Sequence, residues 1–386
     1  MATHAAAKLP KGRTKSGIHP DPLHSYNLPS HYYYSPEIYE REKEAIWFGT
    51  WQLVGFTHDL KEPGSYFTDR ILDQQILVLR GKDARVRAFY NVCMHRGHIL
   101  AEGKGHKLIY TCPFHAWSYD TTGALKAAGN AENVEGFNLD DFSLSEIKCE
   151  IFLNMVFVNL DPDAKPLGPQ VETLRQDILA SVPKFDGLTL GRTDPYTIKA
   201  NWKFVIEQNE CYHCPSLHPQ AMGTEQAYME PSFETTEHGY WGKHIVRTKR
   251  DVRSDQMPYA FRAEDDLKDV HIWYMWPNLV FLSHHGPSNF KVTRVVPTGP
   301  EATFQTIDNF CINSPPTEHD IVTMNNYRDV VLPQDIPAME KQQAGMKSRG
   351  FKQGRLMCDS DVTWRSEHGT HKIDHMVWVA LNGENY

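Results

Sequence analysis

The chain has 386 residues, 40% hydrophobic and 23% charged, with a net charge of −8. That length allows two or three domains with an ample core, and the acidic balance, without a Lys/Arg-rich face, excludes a nucleic-acid footprint. No apolar run reaches the roughly 18 residues of a membrane span, and no apolar h-region follows Lys8, Lys11, Arg13 and Lys15. Seven scattered cysteines, an odd number, do not make a disulfide framework, so a cytoplasmic setting is expected. In chain order, Ser35 to Phe48 reads as one amphipathic helix. From Thr50 to Leu160 the text turns to short β-type runs, among them Trp51 to Phe56, Gln75 to Arg80 and Asn154 to Leu160. Gly81-Lys82-Asp83 and Thr121-Thr122-Gly123 cut them as turns, and Asp161-Pro162-Asp163 closes a small all-β unit. Beyond it come a helix near 169–181, strands near 185–199 and a helix from about Trp202. Strands near 270–283, 288–296 and 303–312 follow, then a long helical stretch from Thr317 to Lys352 interrupted by Pro333 and Pro337. The tail from Gly354 contains one expected strand, Met376 to Leu381. The fold class is α+β, divided into 1–47 (tail and helix), 48–161 (all-β domain) and 162–386 (mixed domain).

Cys93-x-His95 and Cys112-x-x-His115 are the most informative feature, with sixteen residues between His95 and Cys112. Thiolate and imidazole together suit zinc or an iron–sulfur cluster. A zinc finger groups Cys with Cys and His with His, whereas here each short loop supplies one of each. A Rieske [2Fe–2S] centre takes two Cys on one iron and two His on the other, so it needs such loops. The text Asn91-Val92-Cys93-Met94-His95-Arg96-Gly97-His98, with Cys112-Pro113-Phe114-His115-Ala116-Trp117, resembles the Rieske domains of ring-hydroxylating oxygenases.

A second constellation lies in Asn201 to Pro219. Asn201 is suited to cap a helix, and Glu210 and His213 share a face at i and i+3. His213 and His218, five apart, would diverge by about 140° on a straight helix. Pro215 bends or ends that helix between them and lets both imidazoles converge on one ion. Two His plus a carboxylate leave open positions for O₂ and substrate, as in non-haem Fe(II) oxygenases. Asp335 is the candidate third ligand, and an N-cap for a helix restarting at Ile336 is its rival reading. Asp329 and Glu340 are alternative ligands. Cys211 and Cys214 read as small packing residues.

Taken in this order, the two motifs resemble the α subunit of Rieske non-haem iron oxygenases across nearly the whole chain, and Asp335-x-x-x-Met339-Glu340 resembles the ligand-bearing helix of naphthalene dioxygenase and its relatives. The resemblance implies an N-terminal all-β Rieske domain, a helix-grip catalytic domain built on an antiparallel sheet, and a head-to-tail homotrimer. It also implies a [2Fe–2S] cluster, a mononuclear Fe(II), and electrons from NADH or NADPH through a separate flavin/iron–sulfur reductase. In that ring a carboxylate, here Glu210, bridges the cluster of one subunit to the mononuclear iron of the next, with Asn209 beside it as a further candidate. Most ring-dihydroxylating members carry Asp where this chain carries Glu210. The string Glu210-Cys211-Tyr212-His213-Cys214 resembles the quaternary-ammonium branch, which includes carnitine monooxygenase, glycine betaine monooxygenase and stachydrine demethylase.

The expected reaction is therefore N-demethylation or C–N cleavage of a small methylated ammonium compound, with hydroxylation or dihydroxylation of an aromatic ring as the alternative. A third reading, a plain electron carrier, has no use for the second motif. A cationic substrate favours aromatic walls, and Trp273, Tyr274, Trp276 and Phe281, with Tyr240 and Trp241, are the candidates. Alternation places 272, 274 and 276 on one face and 273 and 275 on the other, which leaves the iron-facing set open. His284 is a candidate polar contact, although both His284 and His285 read as surface residues.

Overall fold

A computed structural model describes residues 17–209, 217, 229–248, 264–363 and 366–384. The chain forms two compact units, Lys43–Arg175 and Met1–Glu42 with Gln176–Tyr386.

The unit Lys43–Arg175 opens on a π-helical turn, Lys43–Trp47, and its other regular elements are mostly strands. Its strands are β1 (Gln52–Phe56), β2 (Ser65–Ile71), β3 (Gln74–Arg80), β4 (Val86–Tyr90), β5 (Lys104–His106), β6 (Ile109–Thr111), β7 (Ser118–Asp120), β8 (Leu125–Ala127), β9 (Glu146–Phe152) and β10 (Met155–Asn159). Seven form one sheet in the order β1-β10-β9-β4-β3-β2-β5, and β6-β7-β8 form a small second sheet. Apolar runs set the centre. Ile76 to Leu79 of β3 and all five residues of β10 are buried, whereas β5 is exposed throughout at the sheet edge. The loops after β4 and between β6 and β7 carry the first motif, and beneath them Leu77, Phe89, Tyr110, Trp117 and Tyr119 share one core with Cys93 and Cys112.

The second unit contains α1 (Pro36–Glu42) and the end of α2 (Leu167–Ser181), followed by β11 (Thr189–Ile198) and α3 (Trp202–Asn209). Next come β12 (Met229–Glu237), β13 (Trp241–Thr248), β14 (Val270–Met275), β15 (Leu279–Ser283), β16 (Asn289–Gly299) and β17 (Ala302–Cys311). These strands make an antiparallel sheet, β11-β17-β16-β15-β14-β13-β12. After it follow α4 (Glu318–Asn326), a π-helical segment Tyr327–Val331, α5 (Leu332–Met346) and α6 (His368–Asn382).

Helical groups cover both sheet faces. On one, Asp177 of α2 accepts from Trp273 Nε1 at 2.8 Å and pairs with Lys243 at 2.5 Å. On the other, Arg192 donates to Asn325 of α4 at 2.8 Å, and the Tyr327 ring lies 5.7 Å from Lys291 Nζ and 6.3 Å from the His284 ring.

The helical expectations near the C-terminus need correction. Met376 to Leu381 lies inside α6, because Ile373, Asp374 and Val377 recur at helical spacing on its buried side. Pro337 does not interrupt α5. Leu332, Asp335, Met339, Gln343 and Met346 form one buried stripe at three- and four-residue steps, and burying that stripe outweighs the single backbone bond the proline removes.

Asn201 caps α3 as expected, accepting from Lys203 N at 3.0 Å. Trp202, Phe204, Val205 and Ile206 are buried around the whole helix, and so is Lys203. The buried Lys203 ammonium pairs with Glu42 at 2.5 Å, and Glu42 also accepts from Trp202 Nε1 at 2.9 Å. One turn on, Glu207 accepts from Tyr33 Oη at 2.9 Å, while Asp374 of α6 accepts from Leu28 N at 3.0 Å. Burial raises the Glu207 carboxyl to about 7 and holds Asp374 far above the usual carboxylate range, so burial favours the protonated form of each. Breaking the Lys203 pair leaves Glu42 buried and charged. Lys203→Ala is therefore expected to cost about 3–5 kcal/mol, and Lys203→Met with Glu42→Gln to recover most of it. Denaturant melts of the variants measure both, and a single-variant loss below about 1 kcal/mol would mean that this pair does not hold α3.

Candidate metal centres

The first motif folds into two loops built alike. In one, Cys93 N donates to His98 O at 2.8 Å and Gly97 N donates to Cys93 O at 2.9 Å. In the other, Cys112 N donates to Trp117 O at 2.8 Å and Ala116 N donates to Cys112 O at 3.0 Å. Each loop reverses at a left-handed residue, Gly97 at φ 73° and Ala116 at φ 60°. Glycine adopts that conformation freely, whereas alanine holds it at a cost of about 1–2 kcal/mol.

The loops sort their donors by depth. Cys93 and Cys112 are each 2% exposed, while His95 and His115 lie open with ring centroids 4.7 Å apart. Trp117, buried among Phe137 and Phe142, stacks on His95 at 4.7 Å and an 11° interplanar angle. Tyr119 Oη accepts from Met94 N at 3.0 Å and lies 3.4 Å from Cys93 Sγ. Burial first, and then Cys93, holds that phenol in its protonated form.

Two buried thiols beneath two open imidazoles fit a [2Fe–2S] cluster with a sulfur-bound inner iron and a nitrogen-bound outer one. Among the described residues no three His, Cys, Asp or Glu side chains converge on one point. A binuclear cluster calls for no such convergence, because each of its irons takes only two protein ligands. Sequence reasoning gave Trp117 and Tyr119 no role. Their period-two spacing, with Trp117 just before β7 and Tyr119 within it, soon after Cys112 and His115, was the available signal.

For the second motif, Glu210, His213 and His218 lie outside the described residues, as do Cys211 and Cys214. Asn209 closes α3. Asp335 is 7% exposed and accepts from Gln208 Nε2 at 3.2 Å, so α5 brings this carboxylate to the end of the helix that leads into the motif. It sits inside the first turn of α5, whose N-cap is Val331, which removes the capping role from its possible uses. The alternatives are committed elsewhere. Asp329 is exposed and paired with Arg328 at 2.6 Å, and Glu340 accepts from Lys199 N at 3.1 Å. The donor set, an acidic residue with two histidines, suits a mononuclear iron.

The aromatic candidates divide between the faces. Register joins Lys243, Trp273, Phe281 and Val292 on the α2 side. Tyr274, Val280 and Thr293 form a row on the opposite face, beside the row Ile272, Leu282 and Lys291. Tyr274 thus shares the Tyr327-covered side, whereas Trp273 and Phe281 pack beneath the sheet. Trp276 is buried in the turn after β14, and Trp241 stacks on His238 at 3.9 Å. His284 and His285 are not surface residues. Burial drives His284 far below the usual imidazole range and His285 to about 4, so both are neutral at physiological pH.

Residues 50–138 match the Rieske [2Fe–2S] domain, and residues 185–380 match the ring hydroxylating alpha subunit, catalytic domain. The chain is 33% identical over 360 residues to the carnitine monooxygenase oxygenase subunit of Escherichia coli K12, covering 92% of this chain and 94% of that protein. It is 28% identical over 373 residues to the glycine betaine monooxygenase oxygenase subunit of Chromohalobacter salexigens, covering 85% and 81%. The solved structure of the quaternary ammonium Rieske monooxygenase CntA with L-carnitine superposes with a TM-score of 0.81 at 31% identity, covering 93% of this chain and 96% of that one. No helix among the described residues is long and apolar enough to cross a membrane. With a Rieske [2Fe–2S] domain followed by a catalytic non-haem iron domain, the chain belongs to the Rieske non-haem iron oxygenase α subunits, in the branch of the quaternary-ammonium monooxygenases.

Proposed function

We propose that this chain is the oxygenase subunit of a cytoplasmic monooxygenase that oxidises a small quaternary ammonium compound by N-demethylation or C–N cleavage. Electrons come from NADH or NADPH through a separate flavin/iron–sulfur reductase, and the working form is a head-to-tail homotrimer. Cys93 and Cys112 hold the inner iron of the cluster, and His95 and His115 the outer. His213, His218 and Asp335 hold the mononuclear iron, which when bound supplies dioxygen activation with electrons stored at the cluster. Trp117 braces the His95 ring, Tyr119 keeps a proton beside Cys93, and Gln208 aims the Asp335 carboxylate. Glu210 links the two centres across the subunit boundary. One oxygen atom of O₂ enters the substrate and the other leaves as water, with two electrons and two protons consumed. On an N-methyl group the product is a hemiaminal, which releases formaldehyde and the demethylated amine.

The observation that carries this reading is the covering identity to carnitine monooxygenase subunits, joined to Glu210 in place of the aspartate of ring dihydroxylases. Tyr274, buried on the Tyr327-covered face, supports it as an aromatic wall for a cation. The reconstituted protein with a reductase and NADH is expected to oxidise at least one betaine in a panel, read as formaldehyde or trimethylamine release matched to NADH use. If every betaine fails while an aromatic acid gives a phenol or diol with tight coupling, the substrate class is wrong.

A further inference from the structure

On the sheet face covered by α4 and the π-helical segment, β16 places Lys291 where a lysine is unusual. It is 4% exposed, between the buried Phe290 and Val292. Its ammonium donates to Asn309 Oδ1 at 2.9 Å and faces the Tyr327 ring at 5.7 Å. Asn309 in turn donates to Asp194 Oδ2 at 3.1 Å, and Arg192 holds the same carboxylate at 2.9 Å. On this face of β11, β17 and β16, two cations therefore stand against one carboxylate. Of the acids on the covering helical elements, Asp320 is committed to capping α4 through Thr317 at 2.8 Å and 2.7 Å and to Asn313 at 3.3 Å, and Asp329, which also acts on Arg192, is paired with Arg328 at 2.6 Å. Among the described residues, Arg192 Nη2 and Tyr196 Oη on the same face are buried without an acceptor. A buried ammonium and spare buried donors call for an anion. Lys291 and Asn309 also line a narrow pocket, with Asn289 and His319 on its walls.

Tyr327, which covers Lys291, lies eight residues before Asp335 on one helical run, on the order of 10 Å along its axis. Tyr274 stands one row over from Lys291 on the same sheet face. We infer that Lys291 is the anchor for a carboxylate on the substrate, so that the enzyme selects betaines, which carry both a quaternary ammonium and a carboxylate, over ammonium compounds with an uncharged tail. This rests on the quaternary-ammonium reading above and narrows it. Burial lowers the Lys291 ammonium to about 7, with Arg192 adding to the fall and Asp194 and Cys311 opposing it. Tyr327, His319, Asp320 and the neutral His284 are further titratable groups around it among the described residues. A bound carboxylate restores the proton.

The test compares γ-butyrobetaine with its methyl ester, using the reconstituted enzyme. Wild type is expected to favour the carboxylate by about a hundredfold in kcat/KM, the scale of a lost buried charge pair. In Lys291→Met that ratio is expected to fall to within about threefold through KM for γ-butyrobetaine, with the Rieske absorbance retained as a check on folding. In wild type the carboxylate-to-ester ratio is expected to fall about tenfold per pH unit above pH 7, as free Lys291 loses its proton. If the variant does not fold, this pH series decides alone. An unchanged ratio in Lys291→Met, equal use of both compounds by wild type, or a ratio flat from pH 6 to 9 would each overturn the assignment and leave the ammonium reading intact. Turnover of neither compound, nor of any other ammonium substrate, would remove both readings together.

Discussion

Cys93→Ala is expected to erase the visible absorbance of the cluster while leaving one iron bound, and His213→Ala is expected to do the reverse. The proposed ligands of the two centres are separate residues in separate compact units, so each substitution is expected to remove donors from one metal site alone. In the first loop the cysteine is 2% exposed, and what fixes the turn is backbone bonding from Cys93 N to His98 O and from Gly97 N to Cys93 O. Alanine preserves that turn and removes the thiolate. With one of two sulfur donors gone, the inner iron loses half its protein ligands. Iron content is expected to fall from about three per chain to about one in Cys93→Ala and to about two in His213→Ala. Product formation is expected to drop below detection in both. Metal analysis together with the absorbance of the dithionite-reduced and oxidised forms measures the outcome. Retention of a reducible chromophore in Cys93→Ala, or zinc in place of iron in wild type, would remove the cluster assignment.

How much of this was legible in the sequence depended on how local the signal was. Cys93, His95, Cys112 and His115 lie in two short loops whose residue types alone specify the chemistry, and the turns that present them need only a left-handed residue at Gly97 and Ala116. Strands β3, β10, β16 and β17 were readable because their apolar runs are short and bounded by turns. The C-terminal helix was not. Met376 to Leu381 is rich in β-formers, and what makes it helical is a buried stripe that includes Asp374, an acid no hydropathy pattern assigns to a core. The same applies to Lys203, Glu207 and Lys291. Each is a charged residue in an apolar run, and only the partner from a distant part of the chain (Glu42, Tyr33 or Asn309) makes its burial tolerable. The face assignment of Trp273 and Tyr274 needed the sheet register, because both faces of this sheet are covered and alternation alone gives no inside.

Glu210→Ala is expected to leave both metals in place and lower product formation by on the order of a hundredfold or more. Glu210 directly follows α3, and that helix is fixed from several directions: Lys203 by Glu42, Glu207 by Tyr33 and Gln208 by Asp335. A helix anchored in this way gives a rigid base immediately before Glu210 in the sequence, as the proposed electron bridge between subunits requires. Alanine removes the proposed link while leaving every proposed metal ligand in the sequence. Glu210→Asp is expected to recover part of the rate, since the side chain is one methylene shorter and reaches less far. In stopped-flow mixing of the reduced protein with O₂ and substrate, wild-type cluster absorbance is expected to return within a turnover, whereas that of Glu210→Ala stays bleached over the same interval. Loss of mononuclear iron in Glu210→Ala would instead make Glu210 a ligand and displace Asp335 from that role. Full-speed reoxidation in the variant would place the electron path elsewhere.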